Sequence, residues 1–97
     1  MIEFEWDPEK ARKNIKKHRV AFEEAATVFQ GIWTITSYDP DHSEDEDRLI
    51  TVGFSSSGRP LIVAHTDRAE RVRIINAREL TRAELEAYEE EIKRRKG

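Results

Sequence analysis

Four consecutive runs rich in β-branched and aromatic residues occupy the middle of this chain, and they limit its fold more than any other feature. They cover Ile32–Tyr38, Arg48–Ser55, Leu61–Thr66 and Arg71–Ala77. The connections between them are an acidic loop, the turn cluster Ser56–Pro60 and the segment Asp67–Glu70. Because strands that follow one another through such connections usually pair antiparallel, the pattern predicts a four-stranded meander.

Helical patterns precede the strands. Asp7 is a suitable N-cap, and Pro8 suits the first helical position, where no amide hydrogen is needed. Ala11, Ile15 and His18 then recur at i, i+4 and i+7, which predicts an apolar stripe facing the core. A second helix is predicted over Phe22 to Gln30, with apolar residues again at helical spacing.

One further strand and one further helix complete the predicted fold. Ile2, Phe4 and Trp6 alternate with glutamates, as in a short half-buried strand. Thr81 and Glu84 have the spacing of a capping box, and the helix that they start ends in a run of basic residues. The order β-α-α-β-β-β-β-α predicts one α+β domain over residues 1–97, with helices packed on one face of a mainly antiparallel sheet.

Composition excludes several classes of protein. The 97 residues include no cysteine, which removes thiolate chemistry, disulfide frameworks and cysteine zinc sites. No apolar run approaches the roughly 18 residues of a membrane span, and the start of the chain is acidic, unlike a signal peptide. We therefore expect a cytoplasmic protein that does not bind membranes.

Charge is unevenly distributed along the chain. The net charge is −3, but six of the 20 acidic residues lie in the loop Asp39–Asp47, so the remainder is mildly basic. Such a body can bind nucleic acid, because the local field matters more than the pI. His42 and its acidic neighbours have a metal-like composition without an EF-hand pattern, and we interpret them as a solvated loop. No phosphate-binding, dinucleotide-binding or zinc-protease motif is present, so we expect no cofactor and no metal.

A set of cations on neighbouring predicted strands is the strongest chemical feature. Arg48 opens one strand, His65 closes the next, and the last carries Arg71, Arg73 and Arg78. Arg71 and Arg73 share one strand face, and guanidinium groups bind phosphate through a fork that stays charged. The alternative is a solvated sheet face whose arginines pair with Glu70 or Glu79.

Two histidines bear on proton transfer. His65 at a strand end could move a proton in RNA cleavage, in which the 2′-hydroxyl attacks its own phosphate and no metal is required. It could equally be a polar strand-end residue. Lys17 and His18 end the first helix and could contact RNA, although His18 also fits a helix-capping or core position.

Motifs in order along nearly the whole chain resemble the BrnT toxins of bacterial type II toxin-antitoxin systems. They are Phe4-x-Trp6-Asp7, Asn14-x-x-Lys17-His18-x-Val20-x-Phe22-Glu23-Glu24-Ala25, Val28-Phe29, Glu46-x-Arg48, Gly53, His65-Thr66-x-Arg68 and Arg73-Ile74-Ile75-x-Ala77-Arg78. Each is short, and their order and spacing together carry the resemblance.

The resemblance implies a RelE-like fold and a metal-independent ribonuclease that inhibits translation. It also implies neutralisation by a ribbon-helix-helix antitoxin, BrnA, in a complex that binds DNA and represses its own operon. In RelE-like enzymes, cationic side chains commonly stabilise the phosphate transition state. The corresponding candidate catalytic residues here are Lys17, His18, Arg48, His65, Arg73 and Arg78, and the candidate RNA-binding residues are Arg71, Lys16 and Arg68.

Two other functions stay open at this point. One is a catalytically inactive member that only binds its antitoxin within the autorepressor complex, and the other is a generic protein-binding module. The chain also departs from the family pattern, which has glycine at the positions of Arg19 and Ala69 and serine at that of Asn76. Because a left-handed backbone costs a non-glycine residue on the order of 1 kcal/mol, either these turns differ here or some stability is lost.

Overall fold

The computed structural model describes residues 2–42 and 47–97, so the predictions that involve Ser43 to Glu46 lie outside the described residues. Within these ranges, five strands and three α-helices form. The strands are β1 (Glu3–Glu5), β2 (Ile35–Tyr38), β3 (Arg48–Phe54), β4 (Pro60–Arg68) and β5 (Arg71–Glu79). The helices are α1 (Pro8–His18), α2 (Phe22–Thr27) and α3 (Arg82–Lys96), with short 3₁₀ turns at Val28–Gln30 and Pro40–His42. The predicted α+β order is confirmed.

The five strands form one sheet in the order β1-β5-β4-β3-β2. The pairs from β2 to β5 are antiparallel, which confirms the meander, whereas β1 runs parallel to β5 at the opposite edge. The pairing of β4 with β5 contains a bulge: Ala64 faces Asn76 and His65 faces Ile74, so Ile75 is the extra residue. The bulge reverses the alternation of side chains along β5 and places Arg78 on the same face as Arg73.

The main core lies between this sheet and α1 and α2. It consists of the fully buried side chains Val20, Phe22, Ala25, Val28, Leu61, Val63, Ile74 and Ala77. Trp6 closes one side of it, and its ring lies 5.9 Å from that of Phe22 in an edge contact. These apolar contacts explain why a chain with so many charges folds, because the apolar residues converge on one sheet face.

The third helix packs on the opposite face of the sheet, which corrects the expectation that all helices share one face. Tyr88 of α3 is buried and forms an edge contact with Phe54, with ring centroids 5.9 Å apart. A cleft beneath α3 is lined by Val52 and Ile62. The residues next to Ile62 along its strand belong to the main core, so Val52 and Ile62 point towards the other face of the sheet. The capping box is confirmed: the Glu84 amide donates to Thr81 Oγ1 and the Thr81 amide donates to Glu84 Oε1.

Asn14 fixes α1 beside β5. Its side chain is buried and makes three hydrogen bonds: Nδ2 donates to the carbonyls of Val20 and Ala77 at 2.9 and 2.8 Å, and Oδ1 accepts from the Ala77 amide at 3.1 Å. The predicted stripe of α1 is therefore partly wrong, because Ile15 is 46% exposed while Asn14 faces inward. The result is a helix held against the part of β5 that extends beyond β1.

Two turns adopt the left-handed conformation without glycine. Arg19 ends α1 with φ of 60°, and its amide donates to the Ile15 carbonyl. Ala69 has φ of 54° in the turn between β4 and β5. The turn geometry is thus maintained where the resembled pattern has glycine, and the cost is a local loss of stability.

Candidate functional site

A basic groove lies between α1 and β5 and is called the α1–β5 groove below. It encloses about 380 Å³ and is lined by Lys10, Lys13, Asn14, Lys17, His18, Ile75, Asn76 and Arg78. The cations come from two sources: one face of α1 and the strand just beyond the bulge. Helical spacing explains the first source, since Lys10, Lys13 and Lys17 recur at i, i+3 and i+7.

The lysines of the α1–β5 groove present uncompensated positive charge. None of its described lining residues is acidic. Lys10, Lys13 and Lys17 form no ion pair with any residue of the described ranges, whereas most arginines of the sheet do. Because lysine side chains that converge without carboxylates attract anions, the groove is suited to phosphate.

A second depression continues from the groove onto the face of the sheet and is called the sheet-face pocket. It encloses about 340 Å³ and is lined by Asp39, Pro40, Asp41, Arg48, Ile50, Ile62, Ala64, Asn76, Arg78 and Glu84. Asn76 and Arg78 line both cavities, so a ligand in the α1–β5 groove can extend into the sheet-face pocket. This shared wall makes Arg78 the central cation of the surface.

Glu84 orients Arg78. The two terminal nitrogens of Arg78 donate to the two carboxylate oxygens of Glu84 at 2.8 and 2.9 Å. The hydrogen bonds from Arg78, together with the amide of Thr81, lower the pKa of the Glu84 carboxyl to about 2. The carboxylate is therefore ionised at every physiological pH, and the guanidinium is held in one orientation.

Arg48 provides a second guanidinium in the sheet-face pocket. Its Nε lies 3.6 Å from Oδ2 of Asp39, and both side chains are largely buried, with 18% and 10% of their surface exposed. That Nε is itself buried and has no hydrogen-bond partner among the described residues. Charges in such a desolvated position interact more strongly with an anion than they would in water.

The arginines at the start of β5 are neutralised by β1. Arg73 donates to Glu5 at 3.1 Å, and Arg71 lies 3.5 Å from both Glu3 and Glu5. The hydrogen bond from Arg73 is the main cause that lowers the pKa of Glu5. The alternative interpretation paired these arginines with Glu70 or Glu79, whereas the structure pairs Arg71 and Arg73 with glutamates of β1. Arg71 and Arg73 pair with Arg68 and Thr66, which are two residues apart on β4. This regular register confirms that Arg71 and Arg73 share one face of the sheet.

A sequence profile described as "Ribonuclease toxin, BrnT, of type II toxin-antitoxin system" matches residues 6–84 of this chain. The chain belongs to the BrnT family. The crystal structure of the Brucella abortus ribonuclease toxin BrnT has a similar fold, with a TM-score of 0.67 and 18% sequence identity. The alignment covers 84% of this chain and 100% of that one. No curated protein sequence matches significantly.

His65 does not lie on the cationic face of this BrnT-family protein. It points into the core on the side of α1 and α2, with 1% of its surface exposed and its ring 4.9 Å from that of Phe29. The expectation that it joins the arginines is corrected, because Arg48 and His65 project from opposite sides of the sheet. Any influence of His65 on the groove would have to pass through the residues around it.

The buried imidazole is held in a chain of hydrogen bonds. Nδ1 lies 2.9 Å from Oδ1 of Asp67, and Nε2 lies 2.8 Å from Oγ1 of Thr51, which in turn contacts Thr36. Since a carboxylate accepts, Nδ1 carries the hydrogen and Nε2 accepts from the threonine. Burial lowers the pKa of His65, and Asp67 partly opposes this shift.

The structure brings together some of the predicted site residues of the BrnT-family chain. Lys17, His18 and Arg78 line one groove, and Arg48 lies in the adjoining pocket. Lys16 lies on another side of α1 with Arg12, Ile15 and Arg19, and Arg68 lies exposed at the end of β4. Catalytic and RNA-binding roles remain predictions for all nine residues.

Sequence reasoning missed several residues of the site. Lys10 and Lys13 share the helix face of Lys17, a spacing that was visible in the sequence. Asn76 and Glu84 carried no such signal, because the bulge and the position of α3 bring them to the pocket. The described residues contain no cluster of three metal-ligating side chains, and none of their helices is long and apolar enough to cross a membrane.

Proposed function

We propose that this BrnT-family chain is a metal-independent endoribonuclease that cleaves RNA bound along the α1–β5 groove and the sheet-face pocket. The observation that carries the proposal is the convergence of Lys17, His18 and Arg78 in a groove whose lining contains no carboxylate. Family membership supports ribonuclease activity. The convergence of these side chains supports the groove as the place of cleavage, because the phosphate needs cations beside it and the attacking hydroxyl needs a proton acceptor.

The reaction that suits these groups is attack of the RNA 2′-oxygen on the adjacent phosphorus. The new bond forms between the 2′-oxygen and phosphorus, while the bond to the 5′-oxygen of the next nucleotide breaks. The 2′-hydroxyl loses its proton and the leaving 5′-oxygen gains one. The products are a 2′,3′-cyclic phosphate and a free 5′-hydroxyl, and no water or metal enters the first step.

The candidate catalytic residues on this surface have different proposed parts in the reaction. His18 is the group suited to transfer the proton, since imidazole is the most frequent general acid or base in enzymes. Lys17 and Arg78 stabilise the charge that builds up on the phosphate oxygens. Arg48, which lies beside Asp39, holds the strand that continues into the sheet-face pocket. Arg71 and Arg73 lie further along the sheet and are paired with glutamates of β1, so we assign them no part in the chemical step.

The test is cleavage of labelled RNA by purified protein in EDTA. We expect activity without added metal, a cyclic phosphate product, and losses of roughly a hundredfold in Lys17→Ala and His18→Ala. Arg12→Ala is the matched control, because Arg12 is a cation on another side of the same helix and lies outside the groove lining. Activity that appears only with magnesium, or a 5′-phosphate product, would overturn the proposed mechanism.

The proposed partner is a ribbon-helix-helix antitoxin of the BrnA type, and the proposed outcome of free activity is inhibited translation in the cytoplasm. Family membership supports an antitoxin, and co-purification with the product of an adjacent gene tests its type. A chain that binds this antitoxin and operator DNA but never cleaves RNA would instead be the inactive module in an autorepressor complex.

A further inference from the structure

A second groove, called the aromatic groove below, lies at the far end of α3. It encloses about 440 Å³ and is lined by Trp33, Phe54, Tyr88, Glu89, Ile92, Lys93 and Lys96. Three of its seven lining residues are aromatic and two are lysines. None of them lines the α1–β5 groove or the sheet-face pocket.

Two of the three rings of the aromatic groove are accessible. Trp33 is 40% exposed and Phe54 is 43% exposed, which is unusual for such large apolar residues. Tyr88 contacts both residues: its hydroxyl donates to the backbone carbonyl of Trp33 at 2.6 Å, and its ring forms an edge contact with Phe54. A planar ligand can therefore reach two exposed rings that lie beside a buried tyrosine.

Positive charge lies beside these rings. Lys96 Nζ is 5.2 Å from the centroid of the Trp33 ring. Lys93 and Lys96 form no ion pair within the described residues, whereas Arg94 and Arg95 both bind Glu91. With Glu89 as the single acidic residue of the lining, the groove combines open aromatic faces with a cationic rim.

We propose that the aromatic groove is a subsite for unpaired bases of the RNA substrate. Exposed rings flanked by cations are the usual platform for single-stranded nucleic acid, because bases stack on the rings and phosphates lie against the charges. A protein partner fits less well, since lysine is depleted in the cores of protein interfaces. The occupant is therefore a segment of the same RNA strand that is cleaved in the α1–β5 groove.

The helix α3 connects the two regions. Glu84 near its start lies in the sheet-face pocket, and Lys96 at its end lies in the aromatic groove. These positions are separated by about 18 Å at a rise of about 1.5 Å per residue. A strand several nucleotides long is long enough to span this distance. The inference rests on the proposed ribonuclease function and assigns its substrate a second contact.

The first experiment measures binding of a short oligouridylate whose 2′-oxygens are methylated, so that the attacking hydroxyl is absent. Trp33→Ala should weaken binding by roughly tenfold, as expected for one lost stacked base, and Trp33→Tyr should restore most of it. An abasic strand of the same length and charge should bind wild type and Trp33→Ala equally. Equal binding of the oligouridylate by wild type and Trp33→Ala would overturn the subsite.

The second experiment separates this inference from the proposed function. A minimal dinucleotide substrate cannot reach the aromatic groove, so Trp33→Ala should cleave it as wild type does and lose rate only on longer RNA. If wild type cleaves long RNA and Trp33→Ala matches it, only the subsite is refuted. If wild type cleaves neither substrate, the ribonuclease proposal fails. If Trp33→Ala loses antitoxin binding and retains the oligouridylate, the groove is a protein interface instead.

Discussion

Arg78 and Glu84 are joined by two parallel hydrogen bonds, of 2.8 and 2.9 Å, that connect the last strand of the sheet to the first turn of α3. One of these carboxylate oxygens, Oε1, also accepts a hydrogen bond from the amide of Thr81 in the capping box. One carboxylate therefore starts a helix and orients the cation that two cavities share. This double use connects the stability of α3 with the geometry of the proposed phosphate site.

Replacing Arg78 should reduce RNA cleavage. Arg78→Lys retains the charge and loses the planar fork, so we expect a decrease in kcat/KM of roughly tenfold, and on the order of a hundredfold for Arg78→Ala. Arg82→Lys is the control, because that side chain is 93% exposed on α3. Unchanged cleavage by a folded Arg78→Ala protein would remove Arg78 from the proposed site.

The pair also predicts a dependence of stability on pH. The pKa of Glu84 is about 2 in the folded chain, against an ordinary value of 4.5 for a glutamate in water. Its contribution to the free energy of unfolding is therefore present above pH 4.5 and decreases as the pH falls from 4.5 towards 2. Because the side chain is 38% exposed, screening limits the effect to about 1 kcal/mol.

Urea denaturation of Glu84→Gln checks this prediction. Glutamine retains the capping box and removes the charge, so the variant should lose less stability than wild type between pH 5 and pH 3. Equal losses in the two proteins would show that the ion pair contributes nothing to folding.

Glycine at the two left-handed positions should stabilise the protein. Arg19→Gly and Ala69→Gly remove the steric cost at φ of 60° and 54°, and part of this gain is offset by a more flexible unfolded chain. We expect each variant to raise the free energy of unfolding by about 0.5–1 kcal/mol. Ala83→Gly, in the first turn of α3, should lower the free energy of unfolding. The three variants are compared by their midpoints of urea denaturation. A loss in Arg19→Gly would mean that the side chain makes a compensating contact.

Removing the Asn14 side chain should cost far more than a typical surface change. Asn14→Leu leaves the Ala77 amide and two carbonyls without partners in a buried position, so we expect a loss of about 2–4 kcal/mol. Gln30→Ala, on an exposed residue, is the control. Thermal unfolding measures both, and a near-neutral Asn14→Leu would show that water replaces the lost contacts.

His65 should make the protein sensitive to mild acid. Its folded pKa lies below the ordinary histidine value of 6.5, so the unfolded chain takes up a proton first and stability falls as the pH decreases through 6.5. NMR titration of the imidazole should show a midpoint below that of an exposed histidine. His65→Gln should show a weaker decrease in Tm between pH 7 and pH 5, and a midpoint at or above 6.5 would contradict the assignment.

The elements of this fold follow from local sequence. Asp7 and Pro8 begin α1, Thr81 and Glu84 begin α3, and the alternating runs become β3, β4 and β5, because caps and side-chain periodicity act between near neighbours. The resemblance to the BrnT toxins was also visible in the sequence, since it depends on short motifs in a fixed order.

Only the tertiary structure decided how these elements present their charges. The bulge at Ile75 moves Arg78 onto the face of Arg73, and a strict period of two would have placed it on the other. The pairing of β1 with β5 supplies the glutamates that neutralise Arg71 and Arg73, while α1 leaves its lysines open. Sequence alone gives a residue its charge, but the residues that are distant in the chain determine whether this charge is buried, paired or available to a ligand.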